Sequence, residues 1–211
     1  SLVDFYTFSR KLCYMAHQSE SSAKENFFSF CRTKTFISAT SESALKDIIN
    51  VIAVKKYKEL QPIGHTCRTI YYINRGIARI FYYKDEKDIT ESFSLENDIV
   101  VRVESLFKGI PSKKGIQVLE DAEIIAIDAQ KLFHLYDQHH EIERLFRLIF
   151  EDCHVDMVQR LESIQFQTAE ERYRQLLSDS PQIIQRIPLK YIASYLGITQ
   201  VSLSRIRAQI E

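Results

Sequence analysis

The sequence predicts an α+β protein: an antiparallel β-roll or jelly roll, then a long helix, then a C-terminal helix-turn-helix domain of winged-helix-like type. Three observations support this fold class. Short β-rich segments separated by turn residues occupy residues 51–127, and a long apolar stripe at helical spacing follows them. Residues 187–206 then show the apolar, small and turn residues of two short helices meeting at an angle.

The composition is that of an ordinary globular protein. The chain has 211 residues, 45% of them hydrophobic and 27% charged, which suits one large or two modest domains. The formal net charge is zero, unusual for a protein that only coats nucleic acid, yet residues 181–211 hold four basic side chains against one acidic. No apolar run approaches the roughly 18 to 20 residues of a membrane span, and no signal-peptide pattern opens the chain. We therefore expect a cytoplasmic protein with no membrane partner.

The N-terminal part is the least informative. Residues 1–37 are rich in aromatic residues and serine with weak periodicity, and we treat them as an unassigned N-terminal extension with short helices. Thr40 or Ser41 is a candidate N-cap for a helix that runs through Ala44, Leu45, Ile48 and Ile49. This helix opens the domain predicted over residues 38–137.

The predicted roll consists of short strands joined at turn residues. Gly64, Asn74 to Gly76, Lys84 to Asp88 and Gly109 to Pro111 supply bends. All five glycines lie at such turns or at strand edges, and none falls between residues 116 and 196, so the second half can be mostly helical. The predicted strands are Thr69 to Asn74, Ile77 to Tyr83, Ile89 to Leu95, Ile116 to Leu119 and Glu123 to Ile127.

A short helix with Leu132, Phe133 and Leu135 comes next, and a long helix of about residues 139–164 follows. We assign residues 138–165 to a dimerisation helix, because its apolar stripe is wider than a small β-domain needs. The alternative is a helix buried wholly within its own chain. The predicted interface residues are Ile142, Phe146, Ile149, Cys153, Met157, Leu161 and Ile164.

Local signals define the predicted C-terminal domain, residues 166–211. Thr168 to Glu171 form a capping box, which opens a helix with Tyr173, Leu176 and Leu177 on its inner face. Further on, Pro188 suits a first helical position, and Gly197 suits the residue that ends a helix. Ile198 then fills the angle between two helices, and Thr199 caps the second, whose Leu203 and Ile206 face Ile192 and Leu196.

The outer face of that second helix is polar and basic, which suits a DNA groove. Gln pairs with adenine, Arg takes guanine bidentately, Val meets a thymine methyl, and short hydroxyls suit phosphates. The predicted DNA-binding residues are Thr199, Gln200, Val201, Ser202, Ser204, Arg205, Arg207 and Lys190. The alternative is a ligand- or protein-binding module that does not bind DNA, with a vestigial helix-turn-helix.

Residues 38–211 resemble the Crp/Fnr family of transcription regulators, whose sensor is a cyclic-nucleotide-binding-like domain, and most of all its Bacteroidetes-like members. The segments that carry the resemblance are Tyr71 to Arg79, Glu96 to Val100, Ala169 to Tyr173 and Arg186 to Thr199. It implies a homodimer on a near-palindromic DNA site, with RNA polymerase as a further partner. Where well-known members read DNA with Arg, Glu and Arg, this chain has Gln200, Val201 and Arg205, so we expect a different operator. Since the chain given stops soon after this helix, we expect no full β-wing.

Nucleotide-binding members of this family hold the cyclic phosphate with an Arg-Ser pair, and a Gly-Glu pair ten residues earlier reaches the ribose. Glu104 and Lys114 keep that spacing, but Val103 replaces the glycine, Gly115 the serine, and a lysine the bidentate guanidinium. Cyclic AMP binding is therefore not expected, while another small-molecule effector, or none, stays open. The candidate effector residues are Glu104, Ser105, Lys113 and Lys114; alternatively, the two lysines are solvated turn residues.

Other cofactors and catalysis find little support in the sequence. The four cysteines are widely spaced, and Cys13 and Cys31 alone cannot hold an iron-sulfur cluster. Cys67, His65 and the pair His139 and His140 offer only a loose haem ligation, and no metal-site spacing occurs. The sequence also contains no G-x-S-x-G, P-loop, H-E-x-x-H or G-x-G-x-x-G motif. We therefore expect no cofactor or metal, and no enzyme activity.

Overall fold

A computed structural model describes residues 20–210 and gives the element bounds. Helix α1 covers residues 20–34 of the described part, and α2 is Ala39–Lys46. The strands are β1 (Ile49–Val54), β2 (Glu59–Gln61), β3 (Thr69–Arg75), β4 (Ala78–Lys84), β5 (Lys87–Ser94), β6 (Ile99–Val100), β7 (Gly115–Val118) and β8 (Ala122–Asp128). The other helices are α3 (Val103–Lys108), α4 (Ala129–Tyr136), α5 (His140–Phe166), α6 (Ala169–Asp179), α7 (Ile183–Arg186), α8 (Leu189–Leu196) and α9 (Gln200–Ile210).

The strands form two four-stranded antiparallel sheets, which confirms the predicted roll. One sheet has the order β1-β8-β3-β6, and the other has the order β2-β7-β4-β5. All five predicted strands are present, with ends that differ by one or two residues. The prediction missed β2 and β6, which have three and two residues, and did not list β1, in which Asn50 and Ala53 weaken the β-rich pattern.

Two turns between strands depend on residues with positive φ. The β4–β5 hairpin turns at Asp85 and Glu86, which both have positive φ, at 49° and 61°. Gly76 lies between β3 and β4 at φ 109°, and a Cβ there would lie 2.7 Å from the Cβ of Ala122. Since β3 and β8 pair directly, Gly76 allows a close approach that no other residue permits.

The predicted boundary at residue 37 is wrong, because the described part of the N-terminal segment is not a separate extension. In α1, Phe27, Phe28 and Cys31 are buried in the same hydrophobic cluster as Leu132 and Phe146. The ring of Phe27 also packs edge-on against Tyr72 of β3, with 5.2 Å between centroids. Helix α1 therefore completes the core of the roll. The remaining residues of the segment, 1–19, lie outside the described residues.

The helix predicted to run through Ile49 is shorter than expected. The N-cap of α2 is Ser38, whose hydroxyl accepts a hydrogen bond from the amide of Ser41, rather than Thr40 or Ser41. The helix ends at Lys46, and Ile49 already begins β1. Ile48 and Ile49 are buried, but in the turn and the strand that follow. Their apolar spacing reflects burial in the core and not a continued helix.

Candidate DNA interface, dimer surface and effector region

The angle between α8 and α9 is built by three residues with local conformational roles. Pro188 is the N-cap of α8 (φ −55°, ψ 134°), one position before the predicted one, because its extended ψ places it outside the helix. Gly197 ends α8 at φ 72°, in the left-handed region that favours glycine, and its amide donates back to α8. The Thr199 hydroxyl then accepts from the amide of Ser202 at 3.1 Å, which caps α9 as predicted.

The inner faces of the two helices form one core. Ile192, Leu196 and Leu203 are fully or almost fully buried in a single cluster, and Ile198 and Ile206 pack against it. Tyr173 of α6 is also buried there, behind the capping box predicted at Thr168 and Glu171 and present in the structure. This core fixes α9 on α6 and α8. The outer face of α9 is therefore presented on a rigid support.

Most of the predicted DNA-binding side chains lie on that outer face. Gln200, Val201, Ser204 and Arg205 are exposed, and 63% of the surface of Val201 is accessible. Ser202 and Arg207 are only partly exposed, and the Ser202 hydroxyl is hydrogen-bonded to that of Thr199. Among residues 20–210, the Arg205 guanidinium has no ion-pair partner. The remaining predicted residues, Thr199 and Lys190, are exposed at the N-terminal ends of α9 and α8.

Two arginines that the sequence analysis did not single out connect this region to helices α5 and α6. The guanidinium of Arg160 in α5 stacks on Tyr195, 3.7 Å from the ring centroid, and donates to the Tyr195 carbonyl. Arg172 of α6 donates to the carbonyl of Leu196 at 2.8 Å. Both carbonyls belong to the last turn of α8, where cations are favourable. Burial lowers the pKa of Arg160, consistent with its position between the helices.

The predicted dimer stripe divides into two parts. Ile142, Phe146 and Ile149 are buried within their own chain, in the core that α1 and α4 complete, so their assignment to a dimer interface is wrong. Cys153 is half-buried against the same core. The later members are exposed: Met157 at 60%, Leu161 at 54% and Ile164 at 52%. The apolar side chains Val155, Val158 and Phe166 of the same helix are also exposed.

The four candidate effector residues do not converge on one site. Glu104 pairs with Lys108 of its own short helix at 3.4 Å, and Lys113 is exposed. Ser105 is buried, and its hydroxyl bonds the amide of Cys67 and the carbonyl of Ile110, so its role is structural and its assignment as an effector residue is wrong.

Lys114 is already paired within the roll. Its ammonium lies 2.6 Å from the carboxylate of Glu91, while Arg102 lies 3.8 Å from the same oxygen. Next to it, a Cβ on Gly115 would lie 2.6 Å from the ring of Phe81, so a serine has no room at this position. The Lys114 ammonium is therefore engaged by a carboxylate of its own chain.

A β-roll joined through a long helix to a helix-turn-helix head is the fold of the Crp/Fnr class of transcription regulators, and the predicted fold is thereby confirmed. FixK2 from Bradyrhizobium japonicum matches with a TM-score of 0.65 and 16% identity, over 77% of this chain and 84% of that one. The c-di-GMP-responsive global regulator CLP from Xanthomonas campestris has a TM-score of 0.65 and 13% identity, over 82% and 91%. A protein from Eubacterium rectale assigned to the Crp/Fnr family has a TM-score of 0.64 and 17% identity, over 81% and 82%.

No protein-family model and no curated protein matches the sequence. The structural likeness, at identities of 13 to 17%, concerns the fold. Within residues 20–210, no helix is long and apolar enough to cross a membrane.

Proposed function

We propose that the protein is a dimeric, sequence-specific DNA-binding transcription regulator. The observation that carries this proposal is the outer face of α9. It presents Gln200, Val201, Ser204 and Arg205 to solvent from a helix whose inner face is locked into a core. A rigidly supported, polar and basic helix after a tight turn is the element that helix-turn-helix proteins place in the major groove.

The side chains on this face support a particular base preference. Gln200 and Ser204, like Val201 and Arg205, are four residues apart, so each pair lies on one side of the helix. Arg205 suits guanine, Gln200 suits adenine, and Val201 suits the methyl group of thymine. Thr199 and Lys190, at helix starts, suit phosphate oxygens. We expect an operator with guanine opposite Arg205 and A·T pairs opposite Gln200 and Val201.

The dimer is proposed from the second half of α5. Met157, Leu161 and Ile164 follow one another at steps of four and three, which places them on one face of the helix, and all are more than half exposed. We propose a second copy of the chain as the partner, because helix-turn-helix proteins commonly address two half-sites through two-fold symmetry. Pairing through this half of α5 would leave the buried first half within its own roll.

A selection of operators from random double-stranded DNA tests the proposal, followed by affinity measurements on the selected site. Arg205→Ala should weaken specific binding by about 1 to 3 kcal/mol and relax one base position in each half-site. Arg174→Ala is the matched control, since Arg174 lies on the same domain and pairs with Glu170 in solvent. Failure to select any sequence, or equal losses in the two variants, would leave a module that does not bind DNA.

The roll is proposed as the sensor part of the regulator, with an effector other than cyclic AMP. The support is the pairing of Lys114 with Glu91, since an incoming phosphate would have to displace a carboxylate already in place. A thermal-shift series checks this: cyclic AMP should leave the melting temperature unchanged. An upward shift with cyclic AMP that Lys114→Ala abolishes would contradict it.

A further inference from the structure

The helix-turn-helix is docked on an open edge of the roll. β5 is the last strand in the order β2-β7-β4-β5, so one side of it has no neighbouring strand among the described residues. Helix α8 lies against that side. An uncovered sheet edge exposes backbone donors and acceptors and invites pairing with other chains, so a helix laid along it has a structural function.

Polar contacts match α8 to this edge. The amide of Thr90 in β5 donates to the hydroxyl of Ser194 at 2.8 Å, and that hydroxyl donates to the carbonyl of Asp88 at 3.2 Å. One side chain of α8 thus satisfies a backbone donor and a backbone acceptor that the sheet leaves unpaired. Separation of helices α6 to α9, which we call the head, from the roll would return both groups to water.

Apolar contacts extend the same surface. Ile77 and Leu119 of the roll are buried in one cluster with Tyr173 and Ile192 of the head. In addition, the ring of Phe93 in β5 packs on Tyr195, with 5.2 Å between centroids. The core of the helix-turn-helix is therefore completed by side chains of the roll.

Arg79 is sealed in by the docked helix. Its guanidinium lies 3.9 Å from the ring centroid of Tyr191 in α8, and Asp88 accepts two hydrogen bonds from it at 2.6 and 2.7 Å. The residue is only 1% exposed. A guanidinium buried this deeply depends on its partners, and besides Asp88 these include the ring of Phe81 in β4, at 4.6 Å, and that of Tyr191 in the docked helix.

Arg186 forms ion pairs at the other end of the contact between the head and the roll. It extends from the head between two carboxylates of the roll, donating to Glu96 at 3.0 and 2.5 Å and also to Glu120. The Arg186 guanidinium holds the pKa of Glu96 at about 2, so this ion pair is intact at neutral pH. Glu96 also accepts from the amide of Gly76 at 2.9 Å, which fixes it in the tight turn between β3 and β4.

We propose that the roll holds the head in a single orientation through the β5 edge, and that Arg186 between Glu96 and Glu120 is the latch whose loss releases it. The docked arrangement leaves the outer face of α9 in solvent. The latch therefore sets the direction of that face relative to α5 and does not hide it. Its consequence for DNA rests on the proposed function, whereas the docking itself does not.

Hydrogen-deuterium exchange on the DNA-free full chain tests the latch. Arg186→Gln should speed exchange of the Thr90 amide and of peptides in α8 by about tenfold, because the opening that exposes them becomes easier. Exchange in β3 and β8, inside the roll, should stay at the wild-type rate. Glu120→Gln removes one carboxylate on the roll side and should give the same pattern at smaller amplitude.

The control is Arg174→Gln, which removes a solvent-exposed ion pair from the same domain and should leave exchange in β5 unchanged. Wild-type exchange at Thr90 in both Arg186→Gln and Glu120→Gln would overturn the proposal. So would an acceleration that spreads equally to β3 and β8, since that indicates general loss of stability. If Arg186→Gln does not fold, Glu120→Gln decides by the same criteria.

A second readout separates this proposal from the proposed function. On a selected operator, Arg186→Gln should bind several-fold more weakly than wild type, because a mobile head loses more freedom on binding. If wild type binds no DNA, the proposed function fails, while the exchange result still decides the latch. If wild type binds and the variant shows faster exchange but unchanged affinity, the orienting role of the latch is refuted.

Discussion

The two halves of α5 have the same apolar spacing and opposite surroundings. In the first half, Phe146 and its neighbours are enclosed by α1, α4 and the roll. In the second half, Met157, Leu161 and Ile164 continue the stripe at more than 50% exposure. A continuous stripe therefore does not identify one partner. The two halves differ in the segment that packs against them. Helix α1 covers only the first half, and Lys34, near the end of α1, pairs with Asp152 at 2.7 Å.

The first and largest expected effect concerns the buried half. Phe146→Ala removes a ring that is fully buried and should lower the free energy of unfolding by about 3 to 5 kcal/mol, because a cavity remains in a core the chain cannot refill. Urea unfolding of the purified protein measures it. Leu161→Ala, in the exposed half, is the control, and it should change unfolding little at concentrations low enough for the protein to be monomeric. Similar losses in both variants would contradict the division of the helix.

The second expected effect concerns the exposed half. Leu161→Glu should weaken self-association by roughly 3 kcal/mol, about a hundredfold, because it places an unpaired charge in the proposed interface. Unfolding of the monomer should change by no more than about 0.5 kcal/mol, as for most surface substitutions. Analytical ultracentrifugation over a concentration series measures the association.

The matched control is Gln159→Glu, which adds the same charge at an exposed position on the opposite side of α5. Loss of association in both variants would point to net charge rather than to the apolar face. A wild-type protein that stays monomeric at all concentrations would refute the proposed dimer directly.

Elements governed by local physics could be predicted from the sequence. The ends of α8 and α9 follow from Gly197 and Thr199, whose conformational and capping roles need no distant partner. The strands β3, β4, β5, β7 and β8 are similarly predicted from β-rich runs between turns. The same reasoning failed for α1, because Phe27 and Phe28 join a core whose members include residues more than 40 positions away, and they show no clear periodicity of their own.

The candidate site divides in the same way. The exposed face of α9 could be predicted, since exposure follows from the opposite, apolar face of the same helix. The latch could not, because Arg186 and Glu96 are 90 residues apart and neither is unusual in its local sequence. Ser105 shows the reverse error: the family resemblance suggested ligand contact, yet its hydroxyl accepts a hydrogen bond from the amide of Cys67.

The third and smallest expected effect concerns Asp98, whose carboxylate faces Asp156 where the two halves of α5 meet. Asp98 is an exposed residue, yet the chain around its carboxylate desolvates it and so raises its pKa; the carboxylates of Asp156 and Glu96 raise the pKa further, against the amide of Leu95 and the ammonium of Lys34. Since the folded pKa lies above the unfolded value, ionised Asp98 lowers stability above that pKa, and the cost disappears as the pH falls through it. Asp98→Asn should therefore raise the melting temperature modestly at pH 7, and the gain should shrink on acidification.

Thermal unfolding of Asp98→Asn at a series of pH values checks this. An asparagine oxygen can still accept the 2.7 Å hydrogen bond from the Leu95 amide, so the substitution changes charge more than packing. Asp156→Asn is the companion variant, because it removes the facing carboxylate of α5 and should give a smaller gain of the same sign. If Asp98→Asn lowers the melting temperature equally at every pH, Asp98 acts through its hydrogen-bond geometry alone. The charge of its carboxylate then has no effect on stability where the buried and exposed halves of α5 meet.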